Sequence, residues 1–274
     1  MDTNGRNETF SVSDYRKFDI VLIEITITIQ MILMGKSIKP DAAVILPTYC
    51  EADNITNIID RIEKLGINAT ILVIDDSSPD GTQEIVKKLQ KKHPNIILLT
   101  RPSKMGLGTA ITYGFRYLLS QKHPPEYIIT MDADHSHNPE DIPKLINEAI
   151  KGHDLVVGSR YCKGGAVKGW SKVRLIISRT ANKIANFLLK LPINDYTSGF
   201  RCYSRSYIEK ALPKLHSETY EIQIETLRQA KLQGSKICEV PITFENRKKG
   251  KSKLTPNEIL TFTKYILKTL IRKS

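Results

Sequence analysis

Two aspartates separated by one residue, Asp132 and Asp134, have the type and spacing needed to bind a metal ion. They follow an apolar run at 127–131, and in an extended strand end residues i and i+2 point to the same side. Two carboxylates on one side suit Mg²⁺ or Mn²⁺, which bind a few carboxylates together with phosphate oxygens. A solvated loop explains one such pair equally well, but Asp75 and Asp76 follow another apolar run and favour the metal site.

The histidines and cysteines give a weaker signal for metal binding. His135 and His137 follow the Asp132–Asp134 pair, but no cysteine is nearby, so we interpret them as solvated loop histidines rather than as zinc ligands. Cysteines stand at positions 50, 162, 202 and 238 and form no C-x-x-C pair. This spacing disfavours a disulfide scaffold and a Cys-rich zinc site, and it predicts reduced thiols.

The elements that must position these residues are short apolar runs alternating with helical patterns. The predicted strands lie at 43–46, 71–74, 96–99, 127–131 and 154–157, and the predicted helices at 54–65, 82–92, 108–120 and 139–151. This alternation predicts an α/β fold with a mostly parallel sheet covered by helices on both faces. Ligands of such sheets bind outside the carboxyl ends of the strands, where the aspartates lie.

The second half of the chain follows a different pattern. It contains a glycine-rich loop at 163–169, predicted helices at 171–191 and 219–233, and predicted strands at 236–240 and 242–244. No linker rich in Pro, Gly or Ser separates the two halves, so we predict one domain over residues 41–255. Residues 1–40 form an N-terminal extension of unknown role, with a strand-like alternation at 20–34, and residues 256–274 form a basic amphipathic helix.

The charge of the chain is strongly basic and unevenly distributed. Lys and Arg number 41 against 29 Asp and Glu, a net charge of +12, while a hydrophobic fraction of 41% excludes a disordered chain or a polytopic membrane protein. Residues 247–274 hold nine basic residues and one acidic residue. Nucleic acid, an anionic membrane or a phosphate-rich substrate would each fit such a segment. The interleaved residues are aliphatic rather than aromatic, which disfavours nucleic acid.

Seven sequence segments carry a family resemblance: ILPTYCE, VIDDSSPDGT, MGLGTA, MDADHSHNPED, GSRYCKGG, TSGFRCY and GKSKL. In this order and spacing they resemble the family 2 glycosyltransferases of GT-A fold and, within that family, the dolichol-phosphate mannose synthases. The resemblance covers the chain from about residue 42 to the C-terminus. It implies transfer of mannose from GDP-mannose to dolichyl or another polyprenyl phosphate, with inversion and a divalent cation, Mg²⁺ or Mn²⁺. A donor such as UDP-glucose or a UDP-amino sugar stays open as an alternative.

The resemblance also implies which residues bind the nucleotide sugar. They are Pro47, Tyr49, Glu51, Ile74, Asp76, Asp132, Ala133, Asp134, Ser136, Arg160, Arg247 and Lys253. Of these, Asp132, Asp134 and Ser136 would hold the metal ion, and Asp134 and Arg160 would act in catalysis. Two positions depart from the family pattern, because Ser136 stands where many relatives have Gln and Cys50 replaces the usual Asn.

Three further residues relate to the acceptor. Arg174 and Arg179 are similar to arginines that reach the acceptor phosphate in relatives, but helical phase puts them about 140° apart, so both cannot face one ligand. Glu225 belongs to a family-like YEIQIET segment and would either contact the acceptor or brace the fold.

A lipid acceptor requires contact with a bilayer, yet no segment reaches the length of a transmembrane helix. The helices predicted at 171–191 and 256–274 each carry an apolar stripe flanked by basic residues, which is typical of a helix lying at a membrane surface. We therefore predict peripheral attachment to the cytoplasmic face of a membrane, the endoplasmic reticulum in a eukaryote or the cell membrane in a prokaryote. A separate small membrane subunit is a further expected partner, and nucleic acid is not.

Overall fold

The computed structural model describes residues 41–246. The predictions made for residues 1–40, for Arg247 and Lys253, and for the helix at 256–274 lie outside the described residues. So does the predicted domain boundary at residue 255.

Within residues 41–246, the chain forms a seven-stranded sheet and a two-stranded sheet. The strands are β1 (Ala42–Thr48), β2 (Ala69–Asp75), β3 (Ile96–Thr100), β4 (Tyr127–Thr130), β5 (Leu155–Ser159), β6 (Ala166–Lys168), β7 (Arg201–Ser204), β8 (Ile237–Pro241) and β9 (Thr243–Glu245). The large sheet has the order β3-β2-β1-β4-β7-β5-β8. Its neighbouring strands are parallel except that β7 is antiparallel to both β4 and β5, and β6 pairs with β9 in the small sheet.

Helices cover both faces of the large sheet. They are α1 (Ile55–Lys64), α2 (Thr82–Gln90), α3 (Leu107–Leu119), α4 (Ile142–Ile150), α5 (Lys172–Leu189), α6 (Arg205–Ala211) and α7 (Ile222–Leu232), with 3₁₀ turns at Pro139–Asp141 and Leu212–Lys214. Buried side chains of α1, α2 and α4 pack on one face, and those of α3, α5, α6 and α7 on the other. Because both faces are covered, β1 is apolar and fully buried from Ala42 to Leu46.

The structure confirms the predicted strands of the first half, β8 and β9, and the predicted helices that lie among the described residues. Three elements were missed, namely β6, β7 and α6. No strand pattern is visible in the β7 sequence, because this strand has only four residues and begins with Arg201, whose side chain has 0% exposure. Its guanidinium donates to backbone carbonyls of Ser198, Tyr196 and Gln223, which removes the cost of burial.

The glycines of the MGLGTA segment let the start of α3 lie directly on the loop at 217–218. A Cβ on Gly108 would come within 2.3 Å of the Ser217 carbonyl oxygen, and one on Gly106 within 2.4 Å of the Glu218 carbonyl oxygen. Gly106 also has a φ of 95°, which side chains rarely adopt. This close approach fixes the N-terminus of α3 beside the carboxyl ends of β1, β2 and β4.

Candidate active site

A cavity opens at the carboxyl edge of the large sheet, where β1, β2 and β4 end. Its lining is Pro47, Thr48, Tyr49, Glu51, Ile74, Asp76, Lys104, Gly106, Leu107, Ala110, Asp132, Ala133, Asp134 and Tyr220. Eight of the twelve predicted site residues are in this lining. The cavity has a volume of about 80 Å³ and opens to solvent at the edge of the sheet.

The end of β1 supplies the side chains at one end of the cavity. Glu51 is buried, and its Oε2 accepts a 2.7 Å hydrogen bond from Asn54. Cys50 has a φ of 58°, in the left-handed region that Asn tolerates well, and its backbone N–H donates to Ser78 Oγ at 2.9 Å. The usual Asn at this position therefore matches the backbone conformation that Cys50 adopts.

The two aspartates at the end of β2 have different roles. Asp75 is fully buried and accepts hydrogen bonds from Thr48 Oγ1, from Ser78 and from Gln83 Nε2. Asp76 borders the cavity and forms two bonds with Arg101, at 2.6 Å from Nε and 2.8 Å from Nη2. Asp75 therefore holds the loop together, whereas Asp76 presents to the cavity a carboxylate already neutralised by an arginine.

The loop after β4 carries the D-x-D pair. The Asp132 side chain is 38% exposed, whereas Asp134 is buried and its Oδ1 accepts from the backbone N–H of Ser136 at 3.0 Å. The Ser136 hydroxyl also donates to Asp134 Oδ1. Both carboxylates line the cavity, so this donor set fits a hard divalent cation. Ser136 is 1% exposed and is not part of the lining; it lies behind Asp134, and its metal contact stays a prediction.

The expectation that His137 is a solvated loop histidine is wrong. His137 is 1% exposed and lies with ring centroids 5.1 Å from Phe200 and 5.3 Å from Phe244. Its Nδ1 accepts the Asp132 backbone N–H at 3.1 Å. Burial lowers the pKa of His137, although Asp132 and Asp134 oppose this shift, so the ring stays neutral and holds the D-x-D backbone in place.

Arg160, predicted to bind the nucleotide sugar and to act in catalysis, lies outside this cavity. Its Nε and Nη2 donate to the Asp195 carboxylate, both at 2.7 Å, and Nη2 also donates to Thr197 Oγ1. Its guanidinium carbon lies 5.4 Å from the centroid of the Trp170 ring and 5.5 Å from that of Phe244. Burial lowers the pKa of Arg160, but the Asp195 charge and hydrogen bond raise it more, so the net shift is upward.

A second cavity of about 400 Å³ borders Arg160. Its lining is Arg160, Tyr161, Gly165, Arg179, Asn182, Lys183, Asn186 and Asn194. Arg174 lies elsewhere on α5, with its guanidinium carbon 4.1 Å from the centroid of Trp170 and Nη1 donating to Asn246 at 3.1 Å. The structure thus places Arg179 in this cavity and Arg174 outside it, as helical phase indicated.

Glu225 braces the fold. Its carboxylate accepts the backbone N–H groups of His216 and Ser217, at distances between 2.9 and 3.1 Å. These bonds hold the loop against which α3 begins.

Sequence reasoning missed two residues that shape the donor cavity. Lys104 lies in its lining with Nζ 5.2 Å from the centroid of the Tyr49 ring, and Tyr220 contributes from the start of the segment that leads into α7. Lys104 directly precedes the MGLGTA segment, so its position beside a recognised motif was the available signal. Tyr220 is remote in sequence from the other lining residues, but it is the first residue of the family-like YEIQIET segment, which was the available signal.

Helix α5 presents an apolar stripe to solvent. The stripe consists of Val173, Ile176, Ile177, Ile184 and Phe187, whose exposures lie between 44% and 74%. Exposed basic residues flank it at Lys172, Arg179, Lys183 and Lys190. Among the helices within residues 41–246, none has the length and hydrophobicity needed to cross a bilayer.

Comparisons with known proteins agree with this architecture. The family model "Glycosyl transferase family 2" matches residues 43–212. The chain is 40% identical to a polyprenol monophosphomannose synthase of Mycolicibacterium smegmatis, over 79% of this chain and 82% of that protein. It is 37% identical to an undecaprenyl-phosphate mannosyltransferase of Micrococcus luteus, over 77% of this chain and 86% of that protein.

Two solved structures share the fold at 18% identity. One is glucosyl-3-phosphoglycerate synthase of Mycobacterium tuberculosis in complex with Mn²⁺, UDP and phosphoglyceric acid, with a TM-score of 0.58 over 85% of this chain and 78% of that one. The other is a mannosyltransferase of Pyrobaculum calidifontis in complex with GDP-Man and Mn²⁺, with a TM-score of 0.52 over 78% of this chain and 59% of that one. The predicted GT-A fold is confirmed. The chain belongs to glycosyl transferase family 2.

Proposed function

We propose that this protein transfers mannose from GDP-mannose to the phosphate of dolichol or another polyprenol, with inversion at the anomeric carbon. The observation that carries the proposal is the cavity at the sheet edge, in which a carboxylate neutralised by arginine and two D-x-D carboxylates lie together. The names of the two curated relatives, which refer to polyprenol phosphate and mannose, support the choice of substrates.

In this proposal, the part of the cavity around β1 and β2 binds the nucleoside. Asp76 already carries the charge of Arg101, so its remaining lone pairs suit neutral donors such as the hydroxyl or N–H groups of a nucleoside. Pro47, Tyr49 and Ile74 give this part an apolar wall, and Glu51 lies buried beside it. Lys104, at the opening, suits a diphosphate oxygen.

Asp132 and Asp134 hold the divalent cation in the proposal, with Ser136 supporting Asp134 from behind. When bound, such an ion neutralises the negative charge that develops on the leaving diphosphate. His137 keeps the Asp132 backbone in place, and because its ring is neutral it adds no cationic charge beside the carboxylates.

We assign the acceptor phosphate to the second cavity, which Arg160 and Arg179 line. A phosphate is anionic at neutral pH, so it needs no strong general base, and the chain has to position it and offset its charge. The bonds from Arg160 to Asp195 and Thr197 use Nε and Nη2, and we assign Nη1 to the phosphate. Arg179, which lines the same cavity, is the second candidate contact.

Membrane attachment follows from the same proposal. The α5 stripe exposes five large apolar side chains beside four basic residues, a pattern suited to the boundary between headgroups and acyl chains of an anionic bilayer. We propose that α5 lies on the membrane surface next to the acceptor site, on the cytoplasmic face, and that a small membrane subunit can add to this attachment.

A donor panel tests the proposed function. Purified protein is incubated with polyprenyl phosphate, Mg²⁺ or Mn²⁺, and one of GDP-mannose, UDP-glucose or a UDP-amino sugar, and lipid-linked sugar is measured. We expect efficient transfer from GDP-mannose alone. Transfer from a UDP-sugar without transfer from GDP-mannose would replace the proposal with the alternative donor. Parallel reactions with dolichyl and fully unsaturated polyprenyl phosphates distinguish the lipid acceptors.

A further inference from the structure

A mixed cluster of metal-ligand side chains lies at the edge of the large sheet remote from the donor cavity. Glu148 of α4, His153 in the following turn and Cys238 of β8 each offer one ligand atom, and these three atoms lie within 4.8 Å of one another. All three residues are partly buried. The cluster is near the amino end of β5, whereas the donor cavity lies at the carboxyl ends of the strands.

The local fold brings these residues together without any help from the catalytic elements. The chain leaves α4 through Gly152, whose φ of 94° reverses its direction and returns His153 to the helix end. Cys238 belongs to the edge strand β8 and packs on the face of the sheet that α4 covers. Thus a helix end, a turn and an edge strand each contribute one ligand type.

Hydrogen bonding determines which ring nitrogen of His153 is available to a metal. Its Nδ1 lies 2.9 Å from the Glu148 backbone carbonyl oxygen and 3.7 Å from Glu148 Oε2. Because that oxygen can only accept, Nδ1 carries the hydrogen and Nε2 keeps its lone pair in the neutral ring. Metal-binding histidines commonly use one ring nitrogen in this way while the other binds the ion.

We infer that Glu148, His153 and Cys238 form a Zn²⁺ site that fastens the end of α4 to the edge strand β8. A thiolate, an imidazole and a carboxylate are ligands that Zn²⁺ combines, whereas Mg²⁺ avoids sulfur. Ligand distances of about 2.0–2.3 Å place tetrahedral donor atoms roughly 3.3–3.8 Å apart, so the side chains need to close by about 1 Å. Water supplies the fourth ligand.

Two features of the cluster oppose the ion and limit its affinity. Lys151 Nζ lies 2.7 Å from Glu148 Oε1 and competes for that carboxylate. Burial and the Glu148 charge raise the pKa of Cys238 to about 11, so Zn²⁺ must displace the thiol proton on binding.

Zinc titration against a chromogenic chelator tests the site. The Asp132→Ala/Asp134→Ala background is used so that the D-x-D pair does not bind the ion. We expect one Zn²⁺ per chain, with binding at least about tenfold weaker in Cys238→Ser and in His153→Ala, since removing a ligand costs no less than removing its supporting partner. Lys151→Ala should tighten binding, because it removes the competing cation. Cys50→Ser, an exposed thiol outside the cluster, is the matched control and should bind as the parent does.

Cobalt substitution provides the spectroscopic test. Co²⁺ added to the same background should give a thiolate-to-metal charge-transfer band that disappears in Cys238→Ser and persists in Cys50→Ser. Zinc-free melting curves of each variant establish that it folds. The inference is overturned if the parent binds no Zn²⁺ at micromolar concentrations, if Cys238→Ser binds as tightly as the parent, or if the cobalt band does not depend on Cys238.

Discussion

Two buried arginine–carboxylate pairs lie in the active-site region. In one pair the carboxylate lines a cavity, and in the other pair the arginine does. Asp76, paired with Arg101, borders the cavity proposed for the donor. Arg160, paired with Asp195, borders the second cavity, while Asp195 is fully buried behind it. The first pair offers oxygen acceptors and the second offers N–H donors. The same pair of residue types can therefore serve either a nucleoside or a phosphate, depending on which partner faces outward.

Removing the arginine of each pair in turn should lower the free energy of unfolding by different amounts. Arg160→Ala leaves Asp195 buried without its cation, and we expect the free energy of unfolding to fall by about 3–5 kcal/mol. Arg101→Ala should cost less, because Asp76 lies at the cavity edge and water can reach it. Urea denaturation measures both, with Arg179→Ala, an exposed arginine, as the control. Equal losses for Arg160→Ala and Arg101→Ala would contradict the distinction between the pairs.

Asp134→Ala tests the proposed metal site of the donor cavity. We expect metal-dependent mannosyl transfer to fall by about 10²–10³-fold or more, since the carboxylate would help hold the cation that offsets charge on the leaving group. The melting temperature should change less than in a variant of Asp75, because two of the hydrogen bonds that Asp134 accepts come from Ser136 in the same loop. Asp75→Asn is the contrasting variant and should act mainly through stability, because Asp75 accepts four hydrogen bonds within the fold. Near-normal turnover by Asp134→Ala would refute the metal assignment.

His137 accepts the Asp132 backbone N–H and packs against Phe244, which also lies beside Arg160. The titration of His137 is the next test. Its folded-state pKa is below the unfolded value of about 6.5, so the unfolded chain binds the extra proton as the pH falls below 6.5. This one group should lower the free energy of unfolding by up to about 1.4 kcal/mol per pH unit in that range. His137→Asn keeps an acceptor for the Asp132 N–H without titrating. Its stability curve should be flatter than that of the parent between about pH 6.5 and 5, and parallel curves would show that His137 is not a buried neutral base.

The smallest expected effect concerns the apolar stripe beside the acceptor side. Phe187→Ser removes the most exposed member of the stripe and should weaken partitioning onto anionic vesicles by about tenfold. The KM for donor should not change. Leu232→Ser, on α7 and outside the stripe, is the matched control because its side chain is 65% exposed. If both variants partition equally well with the parent, α5 is not the membrane contact.

The parts of the fold that could be predicted were those with regular apolar patterns. Alternating strand and helix patterns located β1 to β5 and their helices. The family motifs identified most of the residues that line the donor cavity. β7 could not be found because it has four residues and begins with a buried arginine, Arg201, whose guanidinium donates in part to the carbonyl of distant Gln223. The burial of His137 and the Arg160–Asp195 pair depend on contacts across 35 or more positions, which no local pattern encodes.

Mass spectrometry of the lipid product tests the central claim most directly. The protein is incubated with GDP-mannose, Mg²⁺ and polyprenyl phosphate, and the lipid is analysed before and after reaction, with Asp134→Ala in parallel. The account predicts that the lipid phosphate gains the mass of one hexose, and that the variant forms about 10²–10³-fold less of this product. An unchanged lipid with the folded parent protein, or an equal product from Asp134→Ala, would contradict it.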